Sequence, residues 1–388
     1  MTRHLWRHLS SAALDAQADV VVAGGGLVGV ACARALALAG RRVTLLEAAP
    51  ALGAASRSSG VLHAGLYYRP GSLKARLCVA GQASLIAYAA SRGVPFALPG
   101  KLVVATDASQ LAALEALHAN ALACGVADVT RLSARAAHAL EPSLACAGAL
   151  LSPSSGTIDV QALIRALATD AHAAGCATLL SARVLGGQPD GEGGWVLRVA
   201  REGQPPEQLR CRVLVNAAGL GAHRLAASLG VDATKAPPLR FAKGSWLALA
   251  PGVPPPGFSR HIYPIPSDGG LGIHATTDLH GRLRFGPDVQ WLAPGSDPEA
   301  PGSYDADAAR APLFEAAIRS YWPALPAGAL VPAGAGVRPK LSGPGEAAAD
   351  FVVRREAAGL LCLYGIESPG LTASLALADH VTALATHP

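Results

Sequence analysis

The sequence predicts an α/β protein of two domains, and three observations lead to that prediction. The chain has 388 residues, more than a single hydrophobic core usually spans. Residues 19–47 read as strand, glycine turn, helix and strand, which together form one βαβ unit. Between residues 236 and 335 many prolines and glycines separate short β-like runs. This texture predicts a second domain of α+β type with a mixed or antiparallel sheet.

The elements of the βαβ unit are the clearest in the chain. Residues 19–23 (DVVVA) form a buried strand, the Ala- and Leu-rich segment 27–39 forms a helix that Gly40 ends, and RRVTLLE forms a second strand ending at Glu47. The remaining elements, in order, are a helix over 72–90, a strand over 100–106, a helix over 108–124, a helix from Asp159 as N-cap to 174, a strand over 176–184, an antiparallel hairpin over 195–219 and a terminal strand, turn and helix over 360–385.

Composition excludes several classes of protein. With 51% apolar and 15% charged residues, the chain is not disordered. The net charge of +5 comes from basic residues that are scattered rather than clustered, so no nucleic-acid partner is expected. An excess made mostly of Arg fits a small anionic ligand, although a compositional bias on a solvated surface explains it equally well.

The cysteines favour a reducing compartment, and the histidines give no pattern typical of a metal site. The seven cysteines are an odd number without C-x-x-C spacing, which predicts free thiols in a cytoplasmic protein. The twelve histidines form no H-x-x-x-H or H-E-x-x-H pattern, so no metal site is predicted. Residues 1–18 read as an N-terminal extension without a signal-peptide core. No apolar run reaches the ~18 residues of a transmembrane helix, which leaves peripheral contact with the inner membrane open.

A glycine fingerprint between the first strand and helix predicts dinucleotide binding. Gly24, Gly26 and Gly29 form G-x-G-x-x-G, and Glu47 lies eighteen residues beyond Gly29. In such a motif the glycines permit a tight turn, close approach to a pyrophosphate and tight helix packing, while the acid accepts hydrogen bonds from ribose hydroxyls. Glycine turns of this kind also occur for structural reasons, but here strand, helix and acid are all in place. The contacts are predicted at Gly24, Gly26, Leu27, Val28, Gly29, Glu47 and Ala48.

The segment from Arg57 to Lys74 (RSSGVLHAGLYYRPGSLK), with GKLVVA, GTIDV, VNAAGLGA, GAGVRPK and YGIESPGLTASLALADHV, carries a resemblance. Over nearly the whole chain the sequence resembles the FAD-dependent D-amino-acid oxidase superfamily, and within it the L-2-hydroxyglutarate dehydrogenase (oxidase) group. The resemblance implies a Rossmann-like FAD-binding domain over 19–85, 150–235 and 336–388, and a substrate domain over 86–149 and 236–335. It also implies FAD contacts at Arg57, Ser58, Ser59, Val184, Ala217, Ala218, Gly219, Gly336, Val337, Arg338, Gly370, Leu371 and Thr372.

Oxidation of a 2-hydroxy acid needs a base near the flavin and cations for the carboxylates. His63 is the predicted base because its ordinary pKa lies near working pH, with flavin orientation, a structural role and covalent flavin attachment as alternatives. His274 is a second candidate in the site, and Arg338 is predicted to bind the C1 carboxylate through its guanidinium, or else to form a structural ion pair. Weaker candidates for the distal carboxylate are Tyr67, Lys101, Lys243 and Tyr263.

The implied activity is FAD-dependent oxidation of L-2-hydroxyglutarate or a related 2-hydroxy acid. The open alternatives are an amino-acid or secondary-amine oxidase on the same fold, because such folds change substrate through a few side chains, and a flavin-binding protein without turnover. The residues leave the electron acceptor open among oxygen, a quinone and a protein.

Overall fold

The structure is a computed structural model that describes residues 17–53, 58–265 and 272–386. Its helices, within these residues, are α1 (Leu27–Leu38), α2 (Leu73–Arg92), α3 (Leu111–Ala123), α4 (Ala134–Leu140), α5 (Val160–Ala173), α6 (Ala222–Ser228), α7 (Ala311–Arg319) and α8 (Ser374–Thr386). The strands in the same part of the chain are β1 (Gln17–Ala23), β2 (Val43–Leu46), β3 (Val61–Leu62), β4 (Phe96–Ala97), β5 (Lys101–Ala105), β6 (Thr130–Ser133), β7 (Gly148–Ser152), β8 (Gly156–Ile158), β9 (Ala177–Leu179), β10 (Ala182–Pro189), β11 (Trp195–Arg201), β12 (Glu207–Asn216), β13 (Arg240–Leu249), β14 (His261–Pro264), β15 (Ala275–Thr277), β16 (Leu283–Phe285), β17 (Gln290–Trp291), β18 (Leu330–Lys340), β19 (Val352–Ala357) and β20 (Leu360–Tyr364).

The first sheet has a parallel centre in the order β20–β12–β1–β2–β9, and β10, β11 and β19 join it in antiparallel pairs. Alternate residues of β1 enter different core clusters: Val20 and Val22 pack with α1, α5 and α8, whereas Val21 packs with α6. Both faces of the sheet are therefore buried, as parallel sheets require. The carboxyl ends of β1, β2, β12 and β20 consequently meet at one edge, where ligands bind in folds of this type.

The second sheet is mixed, as the sequence predicts for the second domain. Its strand order is β17–β13–β16–β15–β14–β5–β7–β6, and β18 also pairs with β13. Its pairs are antiparallel except for β14 with β5. A third sheet has three strands in the order β3–β8–β4, and both pairs are antiparallel. The α/β fold class with a mixed second sheet is thus confirmed.

Helix ends follow the capping residues in the sequence. The Asp159 carboxylate accepts the N–H of Ala162 at 2.9 Å and starts α5, while the Ser72 hydroxyl accepts the N–H of Ala75 at 3.1 Å and starts α2. Gly93, at φ +63°, ends α2 in the left-handed conformation that favours glycine. These predicted boundaries hold to within two residues.

Three sequence-based boundaries differ from the structure. The single strand predicted over 176–184 is two strands, β9 and β10, because Ser181 adopts φ +50° between them. Val184 therefore does not end a strand but lies inside β10, beside a bulge. The helix predicted from 108 begins with a 3-10 turn over 108–110 before α3. β1 already begins at Gln17, inside the extension predicted over 1–18, whose residues 1–16 lie outside the described residues.

The predicted division into domains passes through continuous elements. The boundary at 85/86 falls inside α2, the boundary at 149/150 inside β7, and the boundary at 335/336 inside β18. Along its whole length β18 pairs with β13 in the mixed sheet. Gly336 and Arg338 thus belong to the sheet of the second domain and approach the first domain from it.

Candidate functional site

A cavity of about 2080 Å³ lies between the parallel and mixed sheets. Its wall includes the loops after β1, β2, β12 and β20, together with residues of β13, β14 and β18 from the mixed sheet. Small-molecule sites usually measure about 300–1,000 Å³. The cavity therefore has room for an extended dinucleotide and a substrate together.

The glycine fingerprint shapes one end of this cavity. Gly24 has φ +115°, and a Cβ there would lie 2.4 Å from the Ala217 carbonyl oxygen. A Cβ on Gly29 would lie 1.8 Å from the Gly24 carbonyl oxygen, so only glycine allows α1 to approach β1 this closely. Gly26, by contrast, would place a Cβ in open space, and no side chain caps α1 at this residue. The first-turn N–H groups of α1 are therefore left for an anionic ligand.

Glu47 connects the two loops that border this end. Its carboxylate accepts the N–H of Gly25 at 2.5 Å and that of Ala49 at 2.7 Å. Glu47 also lies on the cavity wall. Two backbone bonds orient the carboxylate and leave acceptor capacity for ribose hydroxyls.

Most of the other residues predicted to contact FAD share this wall. These are Leu27, Val28, Ala48, Ser58, Ser59, Val184, Ala217, Ala218, Gly219, Gly336, Val337, Arg338, Gly370 and Leu371. Thr372 lies just behind the wall, fully buried, and its hydroxyl accepts the N–H of His63 at 3.0 Å. Arg57 lies outside the described residues.

His63 lies on the wall beyond β3 and is buried. Its Nε2 is 3.3 Å from the Ser368 hydroxyl, while its Nδ1 has no hydrogen-bond partner among the described residues. Burial, and after it the charge of Lys101 and the neighbouring His274 and His261, lowers the pKa of His63 well below its ordinary value. The imidazole is thus neutral at physiological pH.

Two tyrosines and a second histidine extend this part of the wall. The rings of Tyr263 and His274 stack with centroids 3.5 Å apart and planes tilted by 14°. Lys101 Nζ lies 4.5 Å from the ring centroid of Tyr263 and 5.2 Å from that of Tyr67. Tyr67, Tyr263 and His274 line the cavity, whereas Lys101 is fully buried behind the two tyrosine rings. The structure therefore places Lys101 near the site without direct access to the cavity.

Arg338 occupies a half-buried position on the wall, next to Gly244 of β13. A Cβ on Gly244 would lie 2.1 Å from Arg338 Nη2, so this glycine makes room for the guanidinium. Arg338 donates to the backbone carbonyl of Asp288 at 3.4 Å, while the Asp288 carboxylate accepts the N–H of Ser245 at 2.7 Å and pairs with Arg310. Burial lowers the pKa of Arg338, and Glu367 and Asp288 oppose that effect. The Asp288 carboxylate is thus committed to other partners.

Lys243 is not brought to the cavity. Lys243 pairs with Val337 in the register of β13 and β18, so its side chain and that of Arg338 lie on opposite faces of the sheet. Its ammonium donates to the Gly302 carbonyl at 3.2 Å. Strand alternation is the physical reason, since neighbouring residues of one strand point to opposite faces.

Sequence reasoning missed a buried charge cluster on the same wall, formed by Lys74, Lys340 and Glu367. The Glu367 carboxylate lies 3.1 Å from Lys74 Nζ and 2.9 Å from Lys340 Nζ. Next to the cluster, the Asp350 carboxylate accepts hydrogen bonds from the backbone N–H groups of Leu73 and Lys74 at 2.7 and 2.9 Å. All three members of the cluster stand inside motifs quoted for the resemblance (GSLKA, GVRPK and YGIESPG). A charged residue within an apolar or glycine-rich motif was the signal that could have found them.

The described residues contain neither a candidate metal site nor a candidate membrane-spanning helix. Within the ranges that the structure describes, no three His, Cys, Asp or Glu side chains come together as a possible metal site. No helix in that part of the chain is long and apolar enough to cross a membrane.

Comparison with known proteins assigns the fold and the cofactor. An L-2-hydroxyglutarate dehydrogenase from Arabidopsis thaliana is 39% identical over 94% of this chain and 82% of its own length. The human protein of that name is 31% identical over 72% of this chain, and the match spans 62% of the human protein. The FAD-bound L-alpha-glycerophosphate oxidase of Mycoplasma pneumoniae shares the fold with a TM-score of 0.84, at 23% identity over 96% of this chain and 95% of that one.

The residues present fit FAD, because the open cradle at Gly26, the uncapped start of α1 and the Glu47 carboxylate match a pyrophosphate and an adjoining ribose. The family model for FAD dependent oxidoreductases (DAO) matches residues 19–384. The chain therefore belongs to the DAO family of FAD-dependent oxidoreductases.

Proposed function

We propose that the protein oxidises L-2-hydroxyglutarate, or a related small 2-hydroxy acid, to the corresponding 2-oxo acid. The observation that carries this proposal is the position of His63, His274 and Arg338 on the wall of one cavity that begins at the glycine fingerprint. A base and a cation on such a wall suit a hydroxy acid. The names of the relatives that match over most of the chain favour the same substrate class.

Cofactor binding is proposed for the wall residues described above. The N–H groups at the start of α1 would hold the pyrophosphate, and Glu47 would hold the adenosine ribose. Residues 217–219, 336–338 and 370–372 would surround the rest of the cofactor. When bound, FAD would supply the acceptor for the hydrogen of substrate C2 and its bonding electron pair.

His63 is proposed as the base that takes the proton of the substrate hydroxyl. We assign the proton of its neutral ring to Nε2, which faces the Ser368 hydroxyl; the other ring nitrogen, Nδ1, is buried and has no hydrogen-bond partner among the described residues. His63 would take the proton of the substrate hydroxyl while C2 is oxidised and its C–O bond becomes a carbonyl. The Thr372 hydroxyl, bonded to the His63 backbone, holds the imidazole in its place during this step.

Arg338 is proposed to bind the C1 carboxylate. Arg338 is half-buried on the wall, and its guanidinium donates to the carbonyl of Asp288, which leaves donors for a bidentate carboxylate. For the distal carboxylate we propose Tyr67, whose hydroxyl has no partner in the described part of the chain. Tyr263 and His274 form the stacked surface next to it.

The test is the visible spectrum of the purified protein before and after anaerobic addition of L-2-hydroxyglutarate. We expect the flavin band to bleach, with D-2-hydroxyglutarate, glycine and L-proline as matched controls that leave it unchanged. Bleaching by an amino acid alone would replace the proposal by an amino-acid oxidase activity. A flavin band that no donor bleaches would indicate a flavin-binding protein without turnover.

The role of His63 has its own test. His63→Ala should retain FAD yet slow flavin reduction by about 10²–10⁴-fold, the contribution of a positioned base. Ser109→Ala, an exposed change, serves as the control. Unchanged reduction kinetics in His63→Ala would remove His63 from the mechanism.

We propose that the protein is located in the cytoplasm, and peripheral contact with the inner membrane stays open. Support comes from the seven cysteines, all unpaired in the structure, as expected in a reducing compartment. Cell fractionation tests the location. Reoxidation of the reduced protein by air, by a soluble quinone or by membrane vesicles distinguishes the acceptors, and peroxide release in air would identify oxygen.

A further inference from the structure

A fully buried lysine lies behind the wall of the cavity, and no described residue forms a hydrogen bond with its ammonium. Lys101 opens β5, where the register places it between Ser152 of β7 and His261 of β14. Strand alternation puts its side chain on the same face as Val103 and Ala105. Those two residues belong to the core cluster that contains Tyr263 and packs against Tyr67. The ammonium thus points toward the loop that carries His63.

The surroundings of this ammonium are aromatic. Lys101 is 0% exposed, and its Nζ has no hydrogen-bond acceptor among the described residues. Instead it lies over the rings of Tyr67 and Tyr263. Such contacts recover only part of the cost of removing an ammonium from water. A buried group of this kind calls for an explanation other than stability.

Lys101 also acts on His63, which lies in the same loop as Tyr67, one of the two tyrosines that the ammonium contacts. The neighbours that act electrostatically on His63 are Lys101, His274 and His261, and the neighbour that acts on Lys101 is the Cys78 thiol. Burial raises the pKa of Cys78 to about 12, so the thiol is neutral. Burial and Lys101 lower the pKa of His261 to about 4, so His261 is also neutral at physiological pH.

We propose that Lys101 is a positioning residue that acts through His63: its ammonium, sealed behind Tyr67 and Tyr263, keeps the imidazole unprotonated and ready to accept the hydroxyl proton. Lys101 keeps its own proton throughout and does not touch the substrate. Once His63 has taken the proton, repulsion from Lys101 favours its release when the product leaves. The inference rests on the proposed function, in which His63 is the base.

The charge of Lys101 is present over the pH range in which it is needed. Burial lowers the pKa of Lys101 to about 8, so the ammonium is charged below that pH. An imidazole protonates at about pH 6.5 in the absence of other charges, which falls inside the range where Lys101 is charged. Above pH 8 the ammonium is lost, but His63 is then neutral without it.

The test compares the pH dependence of flavin reduction in Lys101→Met, Lys101→Arg and the wild type. In Lys101→Met we expect the acid limb to move to higher pH by about one unit, the usual effect of one nearby charge. Lys101→Arg retains the charge and should keep the limb near its wild-type position. Lys235→Met, which removes an exposed lysine, controls for net charge. A limb that stays in place in Lys101→Met, or a loss of rate that is equal at every pH, would overturn the proposal.

A second measurement keeps the inference independent of substrate. In FAD-loaded protein labelled with ¹⁵N-histidine, the His63 signal, assigned from His63→Asn, should titrate below the ordinary histidine range in the wild type and closer to it in Lys101→Met. An ordinary titration in the wild type would overturn the proposal even if Lys101→Met failed to fold. If L-2-hydroxyglutarate fails to reduce the flavin while this titration shifts as expected, the proposed substrate fails and the action of Lys101 on His63 stands.

Discussion

Replacing Glu367 by Gln should destabilise the protein because the buried ammonium of Lys74 and the half-buried ammonium of Lys340 would lose this counter-ion. The side chains of Glu367 and Lys74 are each 9% exposed and that of Lys340 is 21% exposed, with N···O distances of 2.9–3.1 Å. Removing one partner of such a buried pair costs about 3–5 kcal/mol. With an unfolding entropy of about 2.1 cal/mol/K per residue, a loss of about 3 kcal/mol corresponds to a melting temperature lower by roughly 4 °C.

The same cluster predicts how this loss depends on pH. Burial raises the pKa of Glu367, but Lys74 and Lys340 outweigh burial, and the net pKa is lowered. A carboxyl whose folded pKa is depressed contributes its full stability above its unfolded pKa of about 4.3 and loses it as the pH falls through the folded value. The difference between wild type and Glu367→Gln should therefore be large at pH 7 and shrink below about pH 4.

Thermal unfolding followed by circular dichroism at pH 7 and at low pH is the assay. The double variant Glu367→Gln with Lys340→Met restores part of the balance by removing one ammonium, so it should melt above the single variant. A melting temperature within about 1 °C of the wild type at pH 7 would refute the reasoning, since it would correspond to less than about 1 kcal/mol. An equal loss at both pH values would show that packing, rather than charge, explains the effect.

Three further outcomes are expected. Gly29→Ala should lower both the melting temperature and FAD affinity, because its Cβ would lie 1.8 Å from the Gly24 carbonyl oxygen. Gly26→Ala has an open Cβ position, so it should melt like the wild type and lose FAD affinity alone. Flavin titration and unfolding curves distinguish the two variants. Arg338→Met should weaken substrate binding by about 10–100-fold, the value of one charge-assisted hydrogen-bonded pair, in anaerobic titrations, and unchanged binding would place the carboxylate elsewhere. In the wild type, flavin reduction should persist below pH 6.5, because the pKa of His63 is lowered, and a rate lost at that pH would contradict a neutral His63.

Much of the dinucleotide half of the site could be predicted from local sequence. Gly24, Gly26, Gly29 and Glu47 lie within one βαβ unit, where turn, helix start and strand end follow from neighbouring residues. The helix that begins after Asp159 was predictable for the same reason. The motif that contains His63 pointed to the correct loop beside the cavity.

The substrate half was less predictable. Lys101 and Lys243 both stand on strands of the mixed sheet, and sequence could not rank them. Only the register of β13 with β18 shows that Lys243 faces away from Arg338, and only the packing of β5 under the tyrosines shows that Lys101 is sealed. The break at Ser181 was missed because nothing in its neighbours requires a positive φ.

The amino-acid sequence by itself determined the βαβ unit, its glycine turn, the helix caps and the family. The tertiary structure decided which charges meet: Lys74 and Glu367 are 293 residues apart in the chain, yet their side chains form an ion pair at 3.1 Å. Backbone conformation and capping depend on residues a few positions apart and can be seen in the sequence. Burial, charge pairing and the face of a strand that meets a cavity depend on how distant segments pack, which no local pattern specifies.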